Sequence, residues 1–207
     1  MIQTLSRKIA QQLAGILESS DNSAAWYAYS IEILLLLLIT MTLVAGLAFL
    51  LGTIKNTLIF LAIFAPLRCI GGGVHMSSGN RCIVVSTLVF VVFGYLSTLE
   101  IPINFLTGLI TTALLMGIYT TIKWVPAGTH KYNITDIKVR YIRKVYMLIA
   151  LMIYVITAFI LMHNGKSAES VALTWGALIS LLLITPIGYG IIGVVDHTVD
   201  IIGKKRR

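Results

Sequence analysis

Long apolar runs separated by short polar breaks dominate this chain of 207 residues. Five runs, at roughly 33–51, 82–99, 103–122, 145–162 and 171–194, meet or approach the length of about 20 apolar residues that a helix needs to cross a bilayer. A sixth, Thr57 to Leu67, is short and contains Pro66. Lys55 can snorkel at one end and Cys69-Ile70 can extend the other, so this segment is expected to span, with a re-entrant helix as the alternative. The first twenty residues follow another rule. Ile2, Leu5, Ile9, Leu13, Ile16 and Leu17 recur at helical spacing, with Arg7, Lys8, Gln11, Gln12 and Glu18 between them. That is the pattern of an amphipathic helix lying on the membrane surface. The fold expected is all-α: one polytopic membrane domain over 1–207, with about six transmembrane helices after an N-terminal surface helix. No internal repeat, soluble second domain or signal-peptide pattern is evident.

Composition agrees. The chain is 57% hydrophobic and 12% charged, against about a quarter charged in soluble domains. Its net charge of +8 would suggest nucleic acid in a soluble protein. Here the basic residues collect in particular breaks, so no nucleic-acid partner is expected. In a six-span topology Arg7, Lys8, Arg68, Arg81, the basic residues of 123–144 and the closing Lys204 to Arg207 share one side. The other side receives only Lys55, Glu100, Lys166 and Glu169. The positive-inside rule puts the first group, and both termini, in the cytoplasm, with lipid headgroups as partners.

The break at 68–82 reads RCIGGGVHMSSGNRC. Cys82 and His75 are its candidate thiolate nucleophile and base. Along a straight helix seven residues would hold them about 10 Å apart, too far for a hydrogen bond. Gly79-Asn80 is a turn signal, and Gly71, Gly72 and Gly73 release the backbone on the other side, so the loop can fold His75 over Cys82. A cysteine at a helix N-terminus beside an imidazole sits in the kind of environment that favours thiolate chemistry. The bland readings are that Cys82 is a small apolar filler and that the glycines serve helix packing. With only two or three plausible ligands, no metal site is expected.

The run Arg68, Gly72-Gly73-x-His75, then six residues to Cys82, resembles the signature of the accessory gene regulator protein B (AgrB) family. These are bacterial membrane endopeptidases that process the precursor of a cyclic quorum-sensing peptide. The resemblance extends to the length, the amphipathic N-terminus, about six spans and the motif's place after the second span. WVPAGTHKYN at 124–133 is a further echo, although Ile134 stands where the family tends to have a later proline. The resemblance implies His75 as base, Cys82 as nucleophile and no cofactor. It implies a bacterial plasma-membrane location, an autoinducer propeptide with an acidic C-terminal tail as substrate, and a homodimer. Cys69 has no catalytic place in the pattern and is expected to be a packed thiol.

Around this pair, Arg68 is a candidate to hold a substrate carboxylate or carbonyl, or else to anchor its span in headgroups. Gly72 and Gly73 can let the substrate backbone approach. Lys131, Lys138 and Arg140, in the basic loop 123–144, can dock an acidic tail. Ser77, Ser78 and Asn80 are read as turn formers, and His130 as solvated. His163 falls on the side opposite Cys82. Asp196 and Asp200, one helical turn apart, are expected to pair with the basic loop or the basic tail. Gly188, Gly190 and Gly193 allow close helix contact. Two other functions compete: a transporter or exporter of a small peptide, and a sensor whose cysteine binds metal or responds to redox. The spans carry almost no buried charge, which counts against an ion pathway.

Overall fold

The computed structural model describes residues 2–16, 21–74, 76–127 and 136–204. Eight helices follow one another: α1 Ile2–Ile16, α2 Asp21–Leu50, α3 Ile54–Gly71, α4 Gly79–Leu96, α5 Ile103–Lys123, α6 Ile137–His163, α7 Ser167–Leu182 and α8 Pro186–Lys204. Ala25–Leu50 of α2 and the whole of α3, α4, α5 and α6 are each long and apolar enough to cross a membrane. This is the all-helical, multi-pass architecture that the apolar runs predict.

Helices α3 and α7 form the centre. Around them α5 and α6 close one core, with Leu67, Leu106, Ile110, Met147, Leu151, Tyr154 and Leu181 buried. Helices α2 and α4 close a second, smaller core around Val44, Phe60 and Phe90. In lipid, association depends on close packing and on hydrogen bonds between helices rather than on water exclusion. Both devices appear. A Cβ on Gly176 would meet the Phe60 backbone, so α7 can approach α3 only through a glycine. Ser170 Oγ donates to Ala158 O at 2.9 Å and Tyr154 OH to Thr174 Oγ1 at 3.3 Å, tying α6 to α7.

Three segments differ from expectation or resolve an open alternative. The short segment after Lys55 is one unbroken helix of 18 residues, Pro66 included. As a single helix it is long and apolar enough to cross a membrane. At its start Lys55 Nζ meets Glu169 Oε1 at 2.5 Å, joining α3 to the first turn of α7. At its end, Gly71 and Gly72 meet Ala127, beyond the end of α5.

The run 171–194 is not one straight helix. It breaks at 183–185, and α8 leaves α7 at 86°. Pro186 has no N–H to continue a helix, and Thr185 caps the new one: Gly188 N–H donates to Thr185 Oγ1 at 3.3 Å. A Cβ at Gly188 would stand 2.7 Å from Leu183 Cα, so the glycine serves the bend. Helix α8 therefore runs across the basic end of the bundle.

The N-terminal helix forms as its periodicity predicts but also packs on α2. It buries Ser6, Ala10 and Ala14, while Leu5, Ile9, Leu13 and Ile16 stay exposed. Its small face meets protein, and its large apolar residues are left for lipid. Residues 17–20 lie outside the described residues.

Candidate functional site

Three breaks in the helices converge at the basic end, and α3 organises them. The chain leaves α3 through glycines in left-handed conformations, Gly72 at φ 74° and Gly73 at φ 116°. Ala127 N–H donates to Gly71 O at 2.8 Å, bringing in the segment after α5. Val74 N–H donates to Leu183 O at 3.3 Å, bringing in the break between α7 and α8. A Cβ at Gly72 would collide with Ala127 O, and one at Gly73 with the Arg68 guanidinium and, at 2.7 Å, with Leu183 O. Only glycine fits either position. The triplet is filled by the protein's own backbone and works as a junction between loops.

Arg68 is the pin of that junction. Its Nη1 donates to Gly72 O at 2.7 Å and to Leu183 O at 3.4 Å, and its Nη2 donates to Val74 O. The fork thus holds carbonyls from two separate breaks, a use suited to a planar, multi-donor cation. Neither a headgroup anchor nor an outward-facing substrate hook describes this placement. The guanidinium also lies within electrostatic reach of Cys82, Cys69 and Tyr189.

Cys82 lies in the first turn of α4, half-buried and free of any disulfide. Its N–H donates to Ser78 O at 3.0 Å, the first bond of that helix. The N–H groups of Gly79, Asn80 and Arg81 precede that bond and have no partner within the helix. The sulfur lies 3.8 Å from Ser86 Oγ, one turn further on. Helix α4 also fits closely at this end: a Cβ on Gly79 would stand 2.9 Å from Leu36 of α2.

The other side of the loop is held by α8. Ser77 N–H donates to Asp196 Oδ2 at 3.0 Å, and Arg81 Nη1 meets Asp196 Oδ1 at 2.7 Å. Arg81 Nη2 pairs with Asp200. Hydrogen bonds from Ser77 and Arg81 draw the Asp196 carboxyl from 3.8 down to about 2. The acidic pair was expected to meet the basic loop or tail; among the described residues its partner is Arg81, beside Cys82. The signal for this was present as two carboxylates four residues apart in an otherwise apolar helix. Their partner lies more than a hundred residues away, at the end of a span where topology alone accounts for a basic residue.

Other candidates fall as follows. His75, Lys131 and His130 lie outside the described residues. Lys138 and Arg140 are exposed in the first turn of α6, where Asp136 caps the helix by accepting from Lys138 N–H at 2.8 Å. His163 closes α6 at the end of the bundle away from Cys82. Ser78 starts α4, and Asn80 is exposed in its first turn. Cys69 is exposed rather than packed. It lines a groove of about 340 Å³ with Ile70, Val139, Ile142, Arg143 and Tyr146, between the end of α3 and the start of α6. Among the described residues no three His, Cys, Asp or Glu side chains gather as metal ligands.

These features define a class: a multi-pass helical membrane protein whose chemically distinctive residues meet in one loop junction at its basic end. Residues 6–185 match the accessory gene regulator B family model, and the chain belongs to that family. The family is linked to processing of the accessory gene regulator autoinducer peptide. An AgrB-like protein of Clostridium acetobutylicum is 30% identical over 145 residues, which are 69% of this chain and 65% of that protein. No solved structure matches the chain. The family match ends at Thr185, so α8 lies beyond it.

Proposed function

We propose that this protein is an integral-membrane cysteine endopeptidase. It removes the C-terminal tail of an autoinducer propeptide at the cytoplasmic face and supports closure of the remaining fragment into a ring. The observation that carries this reading is the place of Cys82. It is a free, half-buried thiol in the first turn of α4, preceded by a loop that is pinned at Val74 and Ser77 and contains His75.

The chemistry follows from those residue types. His75 takes the thiol proton, and the Cys82 sulfur attacks the scissile carbonyl carbon. The C–N bond breaks as the C–S bond is kept. The tail leaves as an amine carrying the proton that His75 returns. The N–H groups of Gly79, Asn80 and Arg81 supply donors for the oxyanion at a helix N-terminus, where the dipole also favours negative charge. The fragment remains as a thioester on Cys82. A nucleophile within it then attacks that carbonyl, closes the ring and frees the thiol. With a cysteine attacker, one thioester replaces another at nearly equal free energy and the product is a thiolactone. With a serine attacker it is a lactone. Forming a thioester from a peptide is uphill, so departure of the tail drives the cycle. A site at the lip of the bundle limits water until the ring closes. Exposed Lys138 and Arg140, with Lys131, receive the acidic tail.

The test is reconstitution in lipid with a synthetic propeptide bearing an acidic tail, and mass spectrometry of the released tail. Wild type is expected to release it, whereas His75→Ala and Cys82→Ala are not. Tail release by Cys82→Ala at the wild-type rate would contradict the reading.

A further inference from the structure

The loop that contains His75 is tied down twice, by different parts of the molecule. On its α3 side Val74 is held by Arg68 and by Leu183. On its α4 side Ser77 is held by Asp196, and Arg81 by Asp196 and Asp200. Val74 and Ser77 are three residues apart, so the chain between the tethers can extend no further than about 10 Å. Both tethers depend on the break at 183–185. Leu183 lies in the break, and the bend of 86° carries Asp196 back over α4. If the chain continued straight through 171–194, neither carboxylate would lie beside Arg81.

Asp196 makes the more specific contact of the two. One oxygen takes the backbone N–H of the loop and the other takes the guanidinium of the first α4 turn. It thereby links the loop to the helix that carries Cys82, across a pair whose side chains are 23% and 18% exposed. An ion pair that is also hydrogen-bonded and largely shielded fixes geometry far better than a fully solvated one. Asp200 holds the other guanidinium nitrogen and stops the fork from turning away.

We infer that α8 is a clamp on the reaction centre, with Asp196 as a positioning residue and Asp200 as its support. Together they hold the loop at Ser77 against the first turn of α4 at Arg81. This assignment rests on the peptidase reading for its effect on rate, but the clamp itself can be read separately. Asp196 and Asp200 touch neither the reacting atoms nor the tail-docking face of α6, and reach the site only through Ser77 and the Arg81 side chain. Its loss should therefore lower turnover and leave substrate binding almost unchanged.

The experiment uses full-length protein in lipid vesicles with four variants: Asp196→Asn, Asp200→Asn, Arg81→Asp, and the exchange Arg81→Asp with Asp196→Arg. Tail release gives kcat and KM. Alkylation of Cys82 by N-ethylmaleimide, with exposed Cys69 as internal reference, reports the loop without requiring catalysis. Asp196→Asn and Arg81→Asp are expected to lower kcat by roughly 10- to 100-fold with KM within about twofold, and to change the Cys82 to Cys69 alkylation ratio several-fold. Asp200→Asn should have the smaller effect. The exchange variant restores an ion pair between positions 81 and 196 but leaves no acceptor for the Ser77 N–H, so it should remain as impaired as Asp196→Asn in both readouts. If Asp196→Asn keeps wild-type kcat and the wild-type alkylation ratio, the clamp is overturned. Full recovery of both readouts by the exchange would overturn the hold of Asp196 on Ser77 as the basis of the clamp. If wild type releases no tail, the peptidase reading fails and the alkylation ratios alone decide the clamp.

Discussion

Replacing Gly73 with alanine tests the loop junction at its tightest point. The backbone there has φ 116°, a region that L residues rarely adopt. Holding an alanine in such a conformation costs about 1–3 kcal/mol. The new methyl would also stand 2.7 Å from Leu183 O and against the Arg68 guanidinium. Leu183 is fixed by the break before Pro186, so Arg68 must move. It then loses at least one charged hydrogen bond to Gly72 O or Val74 O, each worth about 1.5–3 kcal/mol. The sum, about 2.5–6 kcal/mol, falls on the loop, because the buried side chains of the two cores are not involved. Gly73→Ala should therefore insert and fold with a wild-type helical signal, while tail release drops by about 100-fold or more. Limited proteolysis should cut faster between residues 72 and 82. Gly46→Ala is the control, since a Cβ there meets nothing within 4 Å, and it should behave as wild type. Wild-type turnover and unchanged proteolysis for Gly73→Ala would refute the argument from steric closure.

Three further outcomes are expected. Lys138→Gln with Arg140→Gln should raise KM several-fold for an acidic tail at low salt. The difference should fade near 1 M salt, where the screening length is about 3 Å, and should vanish for a neutral tail. Cys69→Ala should retain tail release, because the exposed Cys69 lies outside the loop junction. Asp196, lowered from 3.8 to about 2 by Ser77 and Arg81, contributes stability that is fully present above about pH 4 and is lost as pH falls through about 2. Pepsin cleavage of the 72–82 segment should accordingly stay slow at pH 3 and accelerate near pH 2. A midpoint at pH 4 or above would contradict that pairing.

Hydropathy made most of the bundle legible, because the bilayer fixes helix length and demands apolar side chains. Even α3 could be read this way, once Lys55 and Cys69-Ile70 were allowed to extend its short run. The last run hides a bend, because hydropathy is blind to one. Residues 171–194 are apolar throughout, and the punctuation inside them, Thr185-Pro186 with Gly188, was the start signal of a new helix. The sequence pattern also singled out the junction residues, but not their partners. Gly72 and Gly73 owe their identity to Ala127 and Leu183, and Arg68 to carbonyls on two breaks. The contacts with Ala127 and Leu183 join segments more than 50 residues apart and leave no local periodicity. Arg81 was hidden for a second reason: a basic residue at the end of a span already has a sufficient explanation in topology.

The central claim is that a carbonyl of the propeptide becomes bonded to the Cys82 sulfur. Intact-mass spectrometry of the lipid-reconstituted protein after brief incubation with propeptide measures this directly, with wild type, Cys82→Ala and Cys69→Ala side by side. The account predicts a hydroxylamine-sensitive adduct, of the mass of the propeptide without its tail, on wild type and Cys69→Ala but not on Cys82→Ala. An adduct that persists in Cys82→Ala and disappears in Cys69→Ala would contradict it.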